Sequence, residues 1–238
     1  MLFRSQMRLA GPDEDEVRFW RRLSSAVPIS LLLGLAALLS ALGAGLPVGV
    51  WLGMRAGTRR EGHASRSLFV LGGMPEVLIA TLLLIGFGGV WLDWFPSGGL
   101  HSDGIERESS WGRATDLVWH IYLPVLSMTL PIYLMVARFV RDAVRNAASG
   151  PSADNLRAWG VEPRIFRSRM LRVGCVALAP LCGSLLPAVV AGSVVVETTF
   201  SIDGVGRLFW AAVTGQDHAM VMAIVLLIKP AGLFGRAN

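Results

Sequence analysis

Four long stretches of the chain are almost free of charged residues. They cover residues 27–54, 67–92, 120–137 and 173–196, and together they hold a single formal charge, Glu76. A helix needs about 20 apolar residues to cross the roughly 30 Å hydrocarbon core of a bilayer, and each stretch is near that length or longer. The apolar residues run continuously instead of alternating with polar ones, which predicts spanning helices and excludes a transmembrane barrel.

The sequence therefore predicts an all-α fold, a polytopic transmembrane helical bundle of about five spans with the last one short. The predicted spans cover about 27–54, 67–92, 120–140, 173–196 and 218–228. Residues 1–26 then form an external amino-terminal segment, and residues 229–238 form a cytoplasmic tail. Because no signal peptide precedes the external segment and the last span has half the usual length, we expect a chain shortened at both ends.

Composition agrees with a membrane protein. Apolar residues make up 53% of the chain and charged residues only 16%, against about 25% in a typical soluble domain. The net charge is +5, and most of this basic excess lies in loops between spans, so we expect contact with membrane lipid and no nucleic-acid partner. Cys175 and Cys182 lie in an apolar stretch and are interpreted as core residues. The scattered histidines predict no metal site, and no cofactor is expected.

The charges between the spans predict the orientation of the chain. Segments 55–66 and 138–172 carry net charges of +3 and +5, whereas segments 93–119 and 197–217 carry −3 and −2. Cytoplasmic loops of membrane proteins are enriched in lysine and arginine. We therefore expect the two basic segments on the cytoplasmic side and the two acidic segments outside.

A glycine pattern in the first span predicts close helix packing. Gly45, Gly49, Gly53 and Gly57 recur at four-residue spacing, which places them on one helix face where a second helix can approach.

An intramembrane protease would need a serine and a histidine placed together, or paired aspartates. Ser127, Ser184 and Ser193 lie in the spans, but His120 is the only histidine clearly near one, and no GxSxG or paired-aspartate motif occurs. The chain is therefore not expected to be an enzyme, and no catalytic residue is assigned.

Met74, Pro75 and Glu76 near the start of the second span are candidates for lining a water-filled pathway. Glycines followed by a proline permit a kink there. An intramembrane carboxylate is costly, so Glu76 either faces such a pathway or a partner, or is a protonated, hydrogen-bonded structural residue. The sequence leaves both interpretations open.

A specific motif follows the fourth span. The segment from Val194 to Leu208 reads VVVETTFSIDGVGRL, and it closely resembles a run in the permease subunits of binding-protein-dependent ABC importers. Within that family it is similar to the B-type subunit of the dipeptide, oligopeptide and nickel group. The external motif residues are Glu197, Phe200, Gly204, Gly206 and Arg207. Upstream, the run from His120 to Leu126 resembles the start of the family's central span, and Arg138 and Arg141 resemble its exit.

This resemblance implies a type-I ABC permease of the MetI-like fold in the bacterial inner membrane. Its implied function is the translocation path of an ATP-driven importer for peptides or a related small solute. The implied partners are a second, C-type permease subunit, two cytoplasmic ATPase subunits and an extracytoplasmic solute-binding protein. ATP hydrolysis is then expected on the separate ATPase subunits.

The resemblance also implies that the basic loop 141–172 couples the permease to the ATPase. The candidate coupling residues are Ala158, Gly160, Val161, Arg164, Ile165, Phe166 and Arg167. The loop has apolar residues at a helix-like spacing among its arginines, which suits a short amphipathic helix. Gly160, followed by Pro163, predicts a helix break with a left-handed glycine. On pattern alone, a positive loop that only lies along the membrane remains an equal alternative.

Some features depart from the family pattern. Asn155 and Leu156 replace small residues in the coupling loop, and the run from Ser149 to Ser152 should break the helix that the family continues through this point. The alternative function is therefore a non-transporting remnant or a membrane interaction subunit. A stand-alone channel or secondary transporter is a third possibility, but it gives the basic loop no purpose.

Overall fold

The computed structural model describes residues 12–89, 91–102, 104–105, 108–191 and 193–228. Every regular element among these residues is a helix, and none is a strand, which confirms the all-α prediction. The helices are α1 (Pro12–Met54), α2 (Arg59–Gly72), α3 (Glu76–Phe87), α4 (Ser110–Ala148), α5 (Pro151–Ala158), α6 (Pro163–Ala191), α7 (Val194–Thr199), α8 (Val205–Thr214) and α9 (His218–Ile228).

Two of the described helices are long and apolar enough to cross a membrane. They are α1 from Trp20 onward and α4, and the pair α2 and α3 would make a third span if the two halves cross together. At 1.5 Å per residue, the 11 residues of α9 reach only about 16 Å, roughly half of the hydrocarbon core. The number of spans and the orientation of the loops stay predictions.

The second predicted span is broken into two helices. α2 and α3 meet at an angle of 94° across the residues between Gly72 and Glu76. Pro75 has no N–H with which to continue the hydrogen bonds of α2, and Gly73 closes that helix. Glu76, near the start of the second predicted span, begins α3, where a helix N-terminus favours a negative charge.

The glycine face of α1 lies directly on α4. A Cβ added to Gly49 would come within 2.6 Å of the Val140 Cβ and 2.7 Å of the Ala137 carbonyl oxygen. Gly45 and Gly53, one turn to either side, approach α4 as closely. The predicted packing role is wrong for Gly57, because α1 ends at Met54 and Gly57 lies in the following turn, facing open space.

α6 completes this core by packing against both α1 and α4. Gly174 of α6 sits beside Leu46 and Val50 of α1 and Val140 of α4. The buried part of the cluster around it consists of valine and alanine side chains, together with Met170 and Leu178 of α6. Small residues allow helix backbones to approach closely. This matters in lipid, because the hydrophobic effect does not drive helices together there and association depends on van der Waals packing.

We predict that Gly49→Ala destabilises the bundle, whereas Gly43→Ala on the same helix does not. The added methyl group of Gly49→Ala meets a valine and a backbone carbonyl, while nothing lies within 4 Å of the corresponding position at Gly43. Overpacking of this kind costs about 1–3 kcal/mol. The midpoint of thermal unfolding in detergent measures the difference. Equal midpoints for the two variants would contradict the close approach of α1 to α4.

Candidate functional site

The motif after the fourth predicted span is built around a buried carboxylate. Glu197 of α7 is fully inaccessible to solvent. Its Oε1 accepts a hydrogen bond of 2.7 Å from the Ser30 hydroxyl of α1, and its Oε2 accepts one of 3.0 Å from the Arg207 backbone N–H. The Gly206 backbone N–H also donates to this carboxylate.

These contacts supply acceptors to the backbone N–H groups at the start of α8. The first N–H groups of any helix have no partner within the helix, and the residue before α8, Gly204, has no side chain to supply one. Glu197 serves Gly206 and Arg207, and the Ser30 hydroxyl accepts the Val205 N–H at 2.7 Å. A buried carboxylate is expensive without such partners, so donors and acceptor stabilise each other.

The two glycines of the motif leave space for the Glu197 carboxylate. A Cβ on Gly204 would overlap the Glu197 carboxylate, and a Cβ on Gly206 would lie 2.7 Å from the Val194 backbone nitrogen and 3.0 Å from the Glu197 Oε2. Any side chain at these two positions would push Glu197 away from α8. The glycine spacing of the motif therefore encodes a close contact between α7 and α8.

The other motif residues extend this junction. Phe200 is buried, and its carbonyl oxygen accepts a hydrogen bond of 3.0 Å from the Gly99 N–H of the loop before α4. The Arg207 guanidinium pairs with Asp203 at 2.9 Å on the surface, where such a pair contributes little. Arg207 therefore supports the junction chiefly through its backbone.

Glu76 is connected to the same junction through Ser193. The Ser193 hydroxyl hydrogen-bonds to the Glu76 carboxylate and accepts the Val196 N–H at 3.2 Å, which caps α7. Glu76 is half-buried, as is Met74, and Pro75 is exposed at the bend. Glu76 thus has a protein partner in the structure, and the role of these three residues in a translocation path stays a prediction.

The predicted coupling residues form a separate corner between α5 and α6. Gly160 has φ +66°, which confirms the left-handed conformation predicted for it. Trp159 and Ile165 are 79% and 58% exposed on either side of this glycine. Of the candidate coupling residues, Ala158, Arg164 and Arg167 are exposed, and Val161 and Phe166 are half-buried.

The expected short amphipathic helix is not a separate element. Ile165 and Phe166 lie in the first turn of α6, which continues for 29 residues to Ala191. Phe166 packs with Met170 against the core of α1 and α4, so the corner is attached rigidly to the bundle. The break predicted at Ser149 is present, because α4 ends at Ala148 and α5 begins at Pro151. α5 packs on α4, whereas α7 packs chiefly on α8 and α3.

Sequence reasoning missed two polar partners. Ser30 lies in an uncharged stretch. The one signal for a buried hydrogen bond was the presence of its hydroxyl group among apolar neighbours. The sequence singled out Arg141 but not its partner Glu61. The Arg141 Nε donates to the Glu61 carboxylate at 2.7 Å and joins α4 to α2. The spacing of Thr58 and Glu61 is that of a capping box and would have located the start of α2.

These features define the chain as a polytopic helical membrane protein with a polar junction inside its bundle. Residues 45–235 match the family model described as "Binding-protein-dependent transport system inner membrane component". The chain therefore belongs to this family, and it is an inner-membrane protein.

Curated relatives include three transport permeases. The chain is 27% identical over 214 residues to the "Peptidoglycan transport system permease protein YejB" of Agrobacterium fabrum, covering 87% of this chain and 58% of the relative. It is 26% identical over 208 residues to the "Oligopeptide transport system permease protein OppB" of Haemophilus influenzae, covering 87% and 63%. It is 28% identical over 205 residues to the "Dipeptide transport system permease protein DppB" of Bacillus subtilis, covering 84% and 60%. The chain thus spans about three fifths of the length of these relatives.

We predict that Ser30→Ala destabilises the bundle by about 1–3 kcal/mol, the range for leaving buried polar groups unsatisfied. The substitution removes one donor to Glu197 and the acceptor of the Val205 N–H. Ser24→Ala on the same helix is the control, since the Ser24 hydroxyl only donates to the Arg21 carbonyl oxygen on the surface. Thermal unfolding in detergent compares the two. A Ser30→Ala midpoint equal to that of Ser24→Ala would show that the junction does not support the fold.

Proposed function

We propose that this chain is a permease subunit of an ATP-driven, binding-protein-dependent importer. In this proposal its helices form part of the translocation path for peptides or a related small solute. Its partners are a second permease subunit, two cytoplasmic ATPase subunits that hydrolyse ATP, and an extracytoplasmic solute-binding protein. The match of residues 45–235 to the inner-membrane component family supports the assignment, as do the names of the relatives.

The observation that carries the coupling role is the exposed corner at Gly160. Trp159 and Ile165 present apolar surface, and Arg164 and Arg167 present positive charge beside them. A large exposed aromatic residue with arginines nearby is the composition found at the energetic centres of protein interfaces. The corner lies in the basic segment 138–172, which is predicted to be cytoplasmic and would then be accessible to an ATPase.

A rigid corner suits the transmission of a domain movement. Phe166 and Met170 fix the first turns of α6 to the core of α1 and α4, so a force on Trp159 or Ile165 would reach the bundle. The same rigidity makes the direction of the corner depend on Gly160. A β-branched side chain there is strained in the left-handed region, at a cost of about 1–2 kcal/mol.

The break between α4 and α5 favours a second candidate, a membrane interaction subunit that does not transport. The break lies in front of the corner and interrupts the helix that would lead into it. The two candidates differ in one measurable property. Only an importer subunit has to couple ATP hydrolysis by the ATPase to movement of the solute.

We predict that Gly160→Val leaves the chain inserted at normal abundance but abolishes solute-dependent ATP hydrolysis and uptake. The assay uses the chain co-purified with its ATPase and reconstituted in vesicles with the binding protein and labelled peptides. Gly57→Val is the matched control, because Gly57 also has positive φ and open space and lies in the other basic segment. Unchanged uptake in Gly160→Val would refute the coupling role. If the wild-type chain brings down no ATPase, the interaction-subunit candidate is favoured instead.

A further inference from the structure

A cavity of about 430 Å³ lies between α2 and α4, outside both sites described above. It is lined by two short faces with helical spacing. Arg66, Phe69 and Val70 face it from α2, and Arg138, Arg141 and Asp142 face it from α4. Three guanidinium groups therefore surround this cavity with a single carboxylate in its lining.

Two of these arginines have no carboxylate partner among the described residues. Arg141 pairs with both Glu61 and Asp142. Within the described part of the chain, neither Arg66 nor Arg138 has a carboxylate within ion-pair distance. The Arg138 guanidinium instead lies 5.1 Å from the centre of the Phe69 ring, an arrangement that holds its charge at the cavity.

The position of the arginines along their helices places the cavity at the edge of the hydrocarbon. Arg66 is the last charged residue before the apolar run that begins at residue 67, and Arg138 is the first charged residue after the uncharged run 120–137. Phe69 and Val70 lie one turn deeper and are 64% and 69% exposed. The cavity thus combines two arginines that have no carboxylate partner among the described residues with exposed apolar surface on its membrane side.

We propose that this cavity binds the headgroup of an anionic phospholipid, with an acyl chain lying over Phe69 and Val70. A phosphodiester supplies the negative charge that Arg66 and Arg138 lack, and basic pockets between helices at the membrane surface are suited to such headgroups. A soluble protein partner would match the charge, but it would not account for the apolar surface of Phe69 and Val70 on the membrane side of the arginines. The site does not depend on the importer function proposed above.

The test measures lipid binding to the purified full chain in neutral detergent by native mass spectrometry. The probes are dioleoyl phosphatidylglycerol and dioleoyl phosphatidylcholine, which share acyl chains and differ in headgroup charge. We expect phosphatidylglycerol to bind at least tenfold more tightly. Each basic residue near a lipid surface contributes roughly a fivefold gain, so Arg66→Gln with Arg138→Gln should weaken binding of phosphatidylglycerol by about thirtyfold.

The control variant combines Arg60→Gln with Arg145→Gln. It removes the same charge from exposed positions on the same two helices, outside the cavity. Arg66→Gln alone serves if the double variant does not fold, because Arg66 is exposed and its loss should still weaken binding about fivefold. Equal loss in the control, absence of a headgroup preference, or competition by free glycerol phosphate at equal concentration would overturn the proposal.

Discussion

The close approach of α1 to α4 is the constraint on which the rest of the bundle depends. In lipid the hydrophobic effect does not press helices together, so association relies on van der Waals contact between backbones. Gly45, Gly49 and Gly53 provide that contact by leaving no side chain between the two helices. α6 then packs against both, and its rigid start carries the corner at Gly160.

Polar contacts fix the shorter helices to this frame. Glu197 gives the start of α8 the acceptors that its own N-cap glycine lacks, and Ser30 connects this junction to α1. Arg141 and Glu61 join α2 to α4 in the same manner near the opposite end of α1. Each pair is buried or half-buried, so loss of one partner removes part of the compensation of the other in a medium of low dielectric constant.

Much of this architecture could be predicted because bilayer thickness and helix geometry act on sequence directly. The uncharged runs predicted the long helices. A glycine followed by Pro163 predicted the left-handed backbone conformation of Gly160. The break at Pro75 was only partly foreseen, since sequence shows that a helix can kink but not by how much. The partnership of Ser30 with Glu197 was not predicted, because it joins residues 167 positions apart and no local pattern encodes such a contact. The packing role predicted for Gly57 was wrong, because the four-residue glycine spacing continues past the end of α1 at Met54.

The central functional claim is that the corner at Gly160 touches an ATPase subunit. A photo-cross-linking amino acid in place of Trp159, with the same group in place of Arg145 as the control, tests this contact in membranes that contain the whole transport system. Trp159 is 79% exposed at the corner, and Arg145 is exposed on the last turns of α4. The account predicts that the probe at 159 forms an adduct with the ATPase, identified by mass spectrometry, whose yield changes on addition of ATP. Adducts with lipid alone, or equal ATPase adducts from both positions, would contradict it.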